Sequence, residues 1–166
     1  MNLSLAAESE SRKVWEAPHE CASCRTGTVL ANSRGEINAG KVLIVDDEDS
    51  IRFLVMKVLE RRGFIVESAR DGVEAIEKIE AGQFDAMVLD VMMPRVDGFA
   101  VYDHLVQSNS SLSGRTVVLT AYPQTALSRF KKTCQVLAKP FDLQHLLDAV
   151  TSCAGLDRAR STAFSS

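Results

Sequence analysis

The chain has 166 residues, 46% apolar and 25% charged, with 19 Lys plus Arg against 22 Asp plus Glu and a formal net charge of −3. These proportions suit one ordinary hydrophobic core with tails, and they exclude the basic surplus of a general nucleic-acid binder, so no direct DNA binding is expected. Its aliphatic runs reach only about four residues, where a membrane span needs roughly 20, so no span is expected either.

Residues 1–40 show neither a period of two nor one of 3.6 and are rich in Ser, Ala, Glu and Gly. They are expected to form a disordered N-terminal extension. Glu8, Glu10, Glu16 and Glu20 leave no room for the apolar centre of a secretory signal, which points to a cytoplasmic location. Cys21, Cys24, Cys134 and Cys153 are on that ground expected to be free thiols. His19, Cys21 and Cys24 have partial zinc-ligand spacing, but the segment lacks a fourth ligand and no second Cys-x-x-Cys follows, so no metal is assigned there.

At Lys41 the character changes. Lys41–Asp46 reads as a buried strand, after which Asp49 or Ser50 is expected to cap a helix. Ile51, Leu54, Val55, Val58 and Leu59 recur at helical spacing as its apolar stripe, and Arg61, Arg62 and Gly63 end it. Phe64–Ala69 is the second strand, Gly72–Ala81 the second helix and Asp85–Asp90 the third strand. A third helix is expected from about Gly98 to Gln107, a fourth strand at Thr116–Thr120 and a short, poorly patterned helix from about Gln124 to Lys131. Gln135–Ala138 is the fifth strand. Asp142 then caps a last helix with Leu143, Leu146, Leu147 and Val150 on its apolar face. Gly155–Ser166 is small and polar, a flexible tail. Strands and helices in strict alternation predict an α/β, doubly wound, five-stranded parallel sheet over 41–154.

Open sheets of this kind bind ligands beyond the carboxyl ends of their strands, so the residues that end the strands matter most. Asp46 and Asp47 end the first, Asp90 the third and Thr120 the fourth, and Lys139-Pro140 follows the fifth. Three carboxylates on one edge repel one another by about 4 kcal/mol per close pair at an effective dielectric of 20, and need a cation. Oxygen-only ligands suit Mg²⁺, with Mn²⁺ the second candidate. A metal-bound carboxylate beside a lysine and a threonine is equipped for in-line phosphoryl transfer.

These residues, Val42-Leu43-Ile44-Val45-Asp46-Asp47-Glu48, Val88-Leu89-Asp90-Val91-Met92-Met93-Pro94 with Asp97-Gly98, Val118-Leu119-Thr120-Ala121 and Lys139-Pro140-Phe141, resemble the receiver domain of two-component response regulators. The resemblance covers roughly 41–154. It implies a CheY-like, flavodoxin-like (βα)₅ fold with strand order 2-1-3-4-5. Asp90 would accept a phosphoryl group from a phosphohistidine of a sensor histidine kinase or histidine phosphotransfer protein. Asp47, Asp90 and the Met92 backbone carbonyl would ligate Mg²⁺, and Asp46 would act through a metal-bound water. Lys139 would pair with one phosphoryl oxygen, Thr120 would hydrogen-bond another, and small Ala121 would let phosphate reach its backbone N–H. Pro140 implies a cis Lys139–Pro140 bond. Met92 and Tyr122 occupy positions that tune hydrolysis of the phosphoaspartate, and their bulk implies a slow loss of phosphate. Ile51, Phe53 and Leu54 would form a docking patch for the phosphodonor. Asp97-Gly98 is read as turn chemistry.

The chain departs from the family at Val136, where a Tyr or Phe usually reads the threonine's movement. The stretch from Thr120 to Lys139 is also short, with Pro123 at the start of the fourth helix, so the usual signalling face is expected to be atypical. The function implied is a single-domain regulator that catalyses only its own phosphorylation and dephosphorylation and signals through protein contacts or onward phosphotransfer. The rivals are a receiver-like scaffold that no longer cycles, a Mg²⁺-dependent aspartate-nucleophile phosphatase and a flavin or nucleotide module. The phosphatase normally has a second Asp where this chain has Met92. The nucleotide module needs a Gly-rich loop where Asp46 and Asp47 stand.

Overall fold

A computed structural model describes residues 39–130, 133 and 135–155 of the chain. The elements alternate throughout: β1 (Lys41–Val45), α1 (Asp49–Glu60), β2 (Ile65–Ala69), α2 (Gly72–Ala81), β3 (Ala86–Asp90), α3 (Gly98–Gln107), β4 (Thr116–Thr120), α4 (Pro123–Arg129), β5 (Gln135–Ala138) and α5 (Leu143–Cys153). A 3₁₀ turn at Ser111–Arg115 leads into β4. Its Leu112 is buried, and the Leu112 carbonyl accepts the Thr116 hydroxyl at 2.7 Å. A turn this short has no hydrophobic period to reveal it.

The strands are parallel in the order β2-β1-β3-β4-β5, the CheY-like, doubly wound arrangement expected. Successive side chains of a strand face opposite ways, so each central strand feeds two cores. Leu43, Val45, Met87, Leu89 and Val118 pack with Ala75 of α2 and Val101, Tyr102 and Leu105 of α3. Val42, Ile44, Ala86, Val88, Val117 and Leu119 pack on the other face with Val55 and Leu59 of α1 and Leu146 and Val150 of α5. Both faces are covered, which is why β3 and β4 are buried along their whole length. No helix among the described residues is long and apolar enough to cross a membrane.

Four sequence expectations need correction. Helix α1 is capped by Glu48, not by Asp49 or Ser50. The Glu48 side chain makes no cap bond to the helix; its own amide is tied to Asp46 Oδ1 at 2.8 Å, and this fixes where the helix begins. Leu54 is 47% exposed and outside the core. At 3.6 residues per turn it lies roughly 90° from the middle of the arc set by Ile51, Val55, Val58 and Leu59. Helix α4 starts at Pro123 and ends at Arg129, two residues short of the expected Lys131. Finally, Cys153 is disulfide-bonded rather than a free thiol. Pairing depends on which sulfur the fold brings near, and compartment statistics do not encode that. The other three cysteines, His19 and most of the expected extension and tail lie outside the described residues.

The short α4 stops because Phe130, at its C-cap, turns inward. Its ring is buried, stacks on Phe99 with centroids 5.0 Å apart and meets Tyr102 edge-on at 4.8 Å. Arg129 lies over Phe99 at 4.1 Å and bonds Asp103 at 3.2 Å. One ring and one guanidinium thus fasten α4 to α3. Phe130→Ala should cost roughly 3–5 kcal/mol of unfolding free energy in a urea titration, the range for emptying a buried aromatic site.

Candidate functional site

The strand register builds the site. Val45 pairs with Leu89, Asp90 with Leu119, and Thr120 with Ala138. The next residue of β1 therefore falls beside Asp90, Thr120 stands one step beyond Asp90's partner, and Lys139 comes immediately after the residue opposite Thr120. Four consecutive strand ends deliver Asp46, Asp90, Thr120 and Lys139 to one edge. They meet at the crevice between β1 and β3, where strand order reverses.

Asp46 and Asp90 are 1% and 3% exposed. Lys139 Nζ lies 2.9 Å from Asp90 Oδ2 and 3.2 Å from Asp46 Oδ2, so one ammonium bridges two buried carboxylates. The second oxygen of each acid is also satisfied: Asp46 Oδ1 accepts the Glu48 amide, and Asp90 Oδ1 accepts the Met92 amide at 3.2 Å. Burial pushes the Asp46 carboxyl above its usual range, against the Glu48 amide and Lys139, which pull it down, while the nearby Asp90 charge adds to the rise. Burial also works to lower Lys139, yet its bonds and attraction to Asp90 and Asp46 outweigh this and raise it above the ordinary lysine value. The two senses are consistent. Two carboxylates share one cation, so the cation is held charged while burial still keeps the Asp46 carboxyl above its usual range.

Asp47 is exposed at the mouth, and one oxygen each from Asp46, Asp47 and Asp90 lies within 4.8 Å of the others. That donor set fits a hard divalent cation: it is oxygen-only, anionic, partly open to water and short of positive charge. Thr120 is buried, and its hydroxyl oxygen accepts the Tyr122 amide at 3.0 Å. Ala121 is exposed. Met92 and Tyr122 present side chains 60% and 65% exposed on the same rim. The Lys139–Pro140 peptide bond is cis. Val136 is half-buried against the α2/α3 core. Phe53 is 58% exposed, with Lys57 over its ring at 5.5 Å, and Leu54 is exposed beside it. Ile51 instead packs partly into the α1/α5 core.

The Asp97-Gly98 turn has a packing role. Asp97 caps α3 through the Ala100 amide at 2.9 Å, and a Cβ on Gly98 would stand 2.3 Å from the Asp90 carbonyl oxygen. Sequence reasoning gave no role to Arg52, Asp71 or Arg95. Asp71 caps α2 through the Val73 and Glu74 amides and is paired with Arg95 of the loop after β3. The Glu74 amide bond, then Arg95, Val73 and Arg70, hold its carboxyl below the usual range against partial desolvation. A Cβ on Gly72 would lie 2.5 Å from Val96 of the same loop. The loop that follows Asp90 is thus pinned to α2. An Asp-Gly pair before a helical period is the local signal; its distant partners have none.

Residues 42–151 match the family model described as a response regulator receiver domain. Over 110 residues the chain is 39% identical to Response regulator MprA of Mycobacterium ulcerans (strain Agy99), an alignment covering 64% of this chain and 47% of that protein. The chain therefore spans about half the length of the curated relatives it matches. Among solved structures it is similar to the receiver domain of the Francisella response regulator 1452, with a TM-score of 0.66 and 27% identity over 71% of this chain and 98% of that one. It is likewise similar to the response regulator protein TrrA of Thermotoga maritima in complex with Mg²⁺-BeF, with a TM-score of 0.61 and 27% identity over 68% and 97%.

The Asp46 shift has a measurable consequence. A carboxyl raised in the folded state binds its proton more tightly there, so ionised Asp46 weakens the metal-free fold above its folded pKa. Asp46→Asn should raise the thermal midpoint of the metal-free chain at pH 7. The gain should fade as pH falls through the folded pKa of Asp46 and be gone below the ordinary carboxylate value, as scanning calorimetry across pH would read.

Proposed function

The chain belongs to the response regulator receiver domain family of two-component signalling, and on that premise we propose that Asp90 is its phosphoryl acceptor. The observation that carries this reading is the Lys139 bridge: a buried carboxylate at the end of β3 held 2.9 Å from an ammonium that also serves Asp46. Burying a carboxylate there has a high desolvation cost, and the structure compensates it with a cation at the edge where a phosphoryl group would arrive. The donor is a phosphohistidine of a sensor histidine kinase or histidine phosphotransfer protein. The receiver unit is assigned to 41–154, flanked by the extension 1–40 and the tail 155–166.

An Asp90 carboxylate oxygen forms the new bond to phosphorus as the donor's N–P bond breaks. The electron pair stays on the imidazole nitrogen, which takes up a proton. Lys139 then has a phosphoryl oxygen to bind in place of Asp90 Oδ2, while its contact with Asp46 keeps it at the site. The Thr120 hydroxyl, whose oxygen already accepts the Tyr122 amide, donates its proton to a second phosphoryl oxygen, and the Ala121 amide serves the same group. Asp47, Asp90 and the Met92 carbonyl would hold Mg²⁺, with Asp46 acting through water; the ion supplies positive charge that offsets the transferring oxygens. The Thermotoga maritima relative in complex with Mg²⁺-BeF supports this choice of metal. Ile51, Phe53 and Leu54 are assigned to donor docking, with Phe53 and Leu54 the exposed part of that patch. The output is a protein contact or onward phosphotransfer, and the module's only chemistry is on itself.

Incubation with acetyl phosphate and Mg²⁺ should add one phosphate to the intact mass of the wild type and none to Asp90→Ala; absence of an Asp90-dependent, Mg²⁺-dependent gain would overturn the assignment. Met92 and Tyr122 crowd the approach of water to the same atom. Replacing both with Ala should shorten the phosphoprotein lifetime by about tenfold, on the order of 1.4 kcal/mol in the hydrolysis barrier, as a mass time course after donor removal would show.

A further inference from the structure

We propose that Arg52 is a positioning residue for the acidic pocket, clamping the β1–α1 loop so that Asp46 and Asp47 present their carboxylates to Mg²⁺; this deepens the phosphoryl-acceptor reading and rests on it. Arg52 sits in the first turn of α1, and although it is charged its side chain is only 17% exposed. Its Nη1 donates to the Asp46 carbonyl oxygen at 2.7 Å, and its Nη2 pairs with the Asp49 carboxylate. A guanidinium can make both bonds at once because its donors form a rigid planar fork.

The target of the first bond explains its effect. The Asp46 carbonyl and the Asp47 amide belong to one planar peptide unit, so holding the carbonyl fixes the plane from which Asp47 departs. Among the described residues no hydrogen bond restrains the exposed Asp47 side chain itself. Its direction is inherited from that backbone. The rest of the loop is fastened from within, by the Asp46 amide on the Ala69 carbonyl at 3.2 Å, the Glu48 amide on Asp46 Oδ1 and Lys139 on Asp46 Oδ2. Arg52 supplies the outer fastening, and Asp49 orients it.

Electrostatics and positioning predict opposite signs. Arg52 is a cation beside a cation site, so by charge alone its removal should tighten Mg²⁺ binding. If it positions the carboxylates, its removal weakens binding, as loss of groups that orient metal ligands does by roughly 10–100-fold. A role confined to stabilising α1 would lower the unfolding midpoint and leave the affinity alone.

The test is calorimetric titration of the full chain with MgCl₂, without phosphodonor, for wild type, Arg52→Met and Arg52→Lys, with circular dichroism confirming the fold. Arg52→Met should bind Mg²⁺ about tenfold more weakly. Arg52→Lys keeps the charge but not the fork, and should be weakened by a smaller factor. For both, phosphate uptake from acetyl phosphate should recover when Mg²⁺ is raised in proportion. Equal or tighter binding by Arg52→Met overturns the proposal; should that variant not fold, equal binding by Arg52→Lys does so. A wild type that takes up phosphate on Asp90 while the variants bind Mg²⁺ unchanged removes this inference alone, whereas a wild type that neither binds Mg²⁺ nor gains phosphate removes the underlying reading as well.

Discussion

The Lys139 ammonium, placed between the carboxylates of Asp46 and Asp90, is the contact on which the functional edge of the molecule depends. Two buried carboxylates a few ångströms apart are costly, and unpaired they would neutralise or force the loops apart. The lysine offsets part of that cost. It does so from the end of β5, the far edge of the sheet, while the acids come from β1 and β3. Holding the three together therefore requires β1, β3, β4 and β5 to keep their register. What remains uncompensated is visible in the raised pKa of Asp46, and it gives the pocket its appetite for further positive charge.

Around that pocket the structure divides labour between rigid and adjustable parts. The strand ends are fixed by packing on both faces. The loop after β1 is tied by Arg52 and by the Glu48 amide, and the loop after β3 by Arg95 on Asp71 and by the close approach of Gly72 to Val96 and of Gly98 to Asp90. Thr120 is different. Its hydroxyl oxygen engages a neighbouring amide, a bond it can exchange without disturbing the core. Among the described residues Lys139 is the cation paired with Asp90, so a change in charge at Asp90 acts directly on that contact.

On the far side of β4, Val136 packs against the core, while Phe130 brings an aromatic ring into the same half of the molecule from the end of α4. The ring there is stacked on Phe99 and edge-on to Tyr102, so it anchors α4 to α3 and leaves Tyr122, at the other end of the helix, exposed. Helix α4 is thus fastened at its C-terminal end and carries an exposed side chain, Tyr122, at its N-terminal one.

Much of this was legible from residue order. Alternating aliphatic runs and helical periods determine the element order, because burying both faces of a parallel strand demands continuous apolar residues and burying one face of a helix demands a 3.6-residue period. The acids, the threonine and the lysine were recognisable because each directly follows such a run. Local chemistry also accounts for the caps at Asp71, Asp97 and Asp142, whose carboxylates bond amides two or three residues on. Tertiary structure decided what depends on distance in space. It paired Lys139 with Asp46 across 93 residues, set Arg52 against a carbonyl and Arg95 against Asp71, moved the start of α1 to Glu48's side of the loop, ended α4 at a buried ring and joined Cys153 in a disulfide. Periodicity is a property of neighbours along the chain, whereas a shared cation, a stacked ring or a disulfide is set by which surfaces the folded sheet brings together.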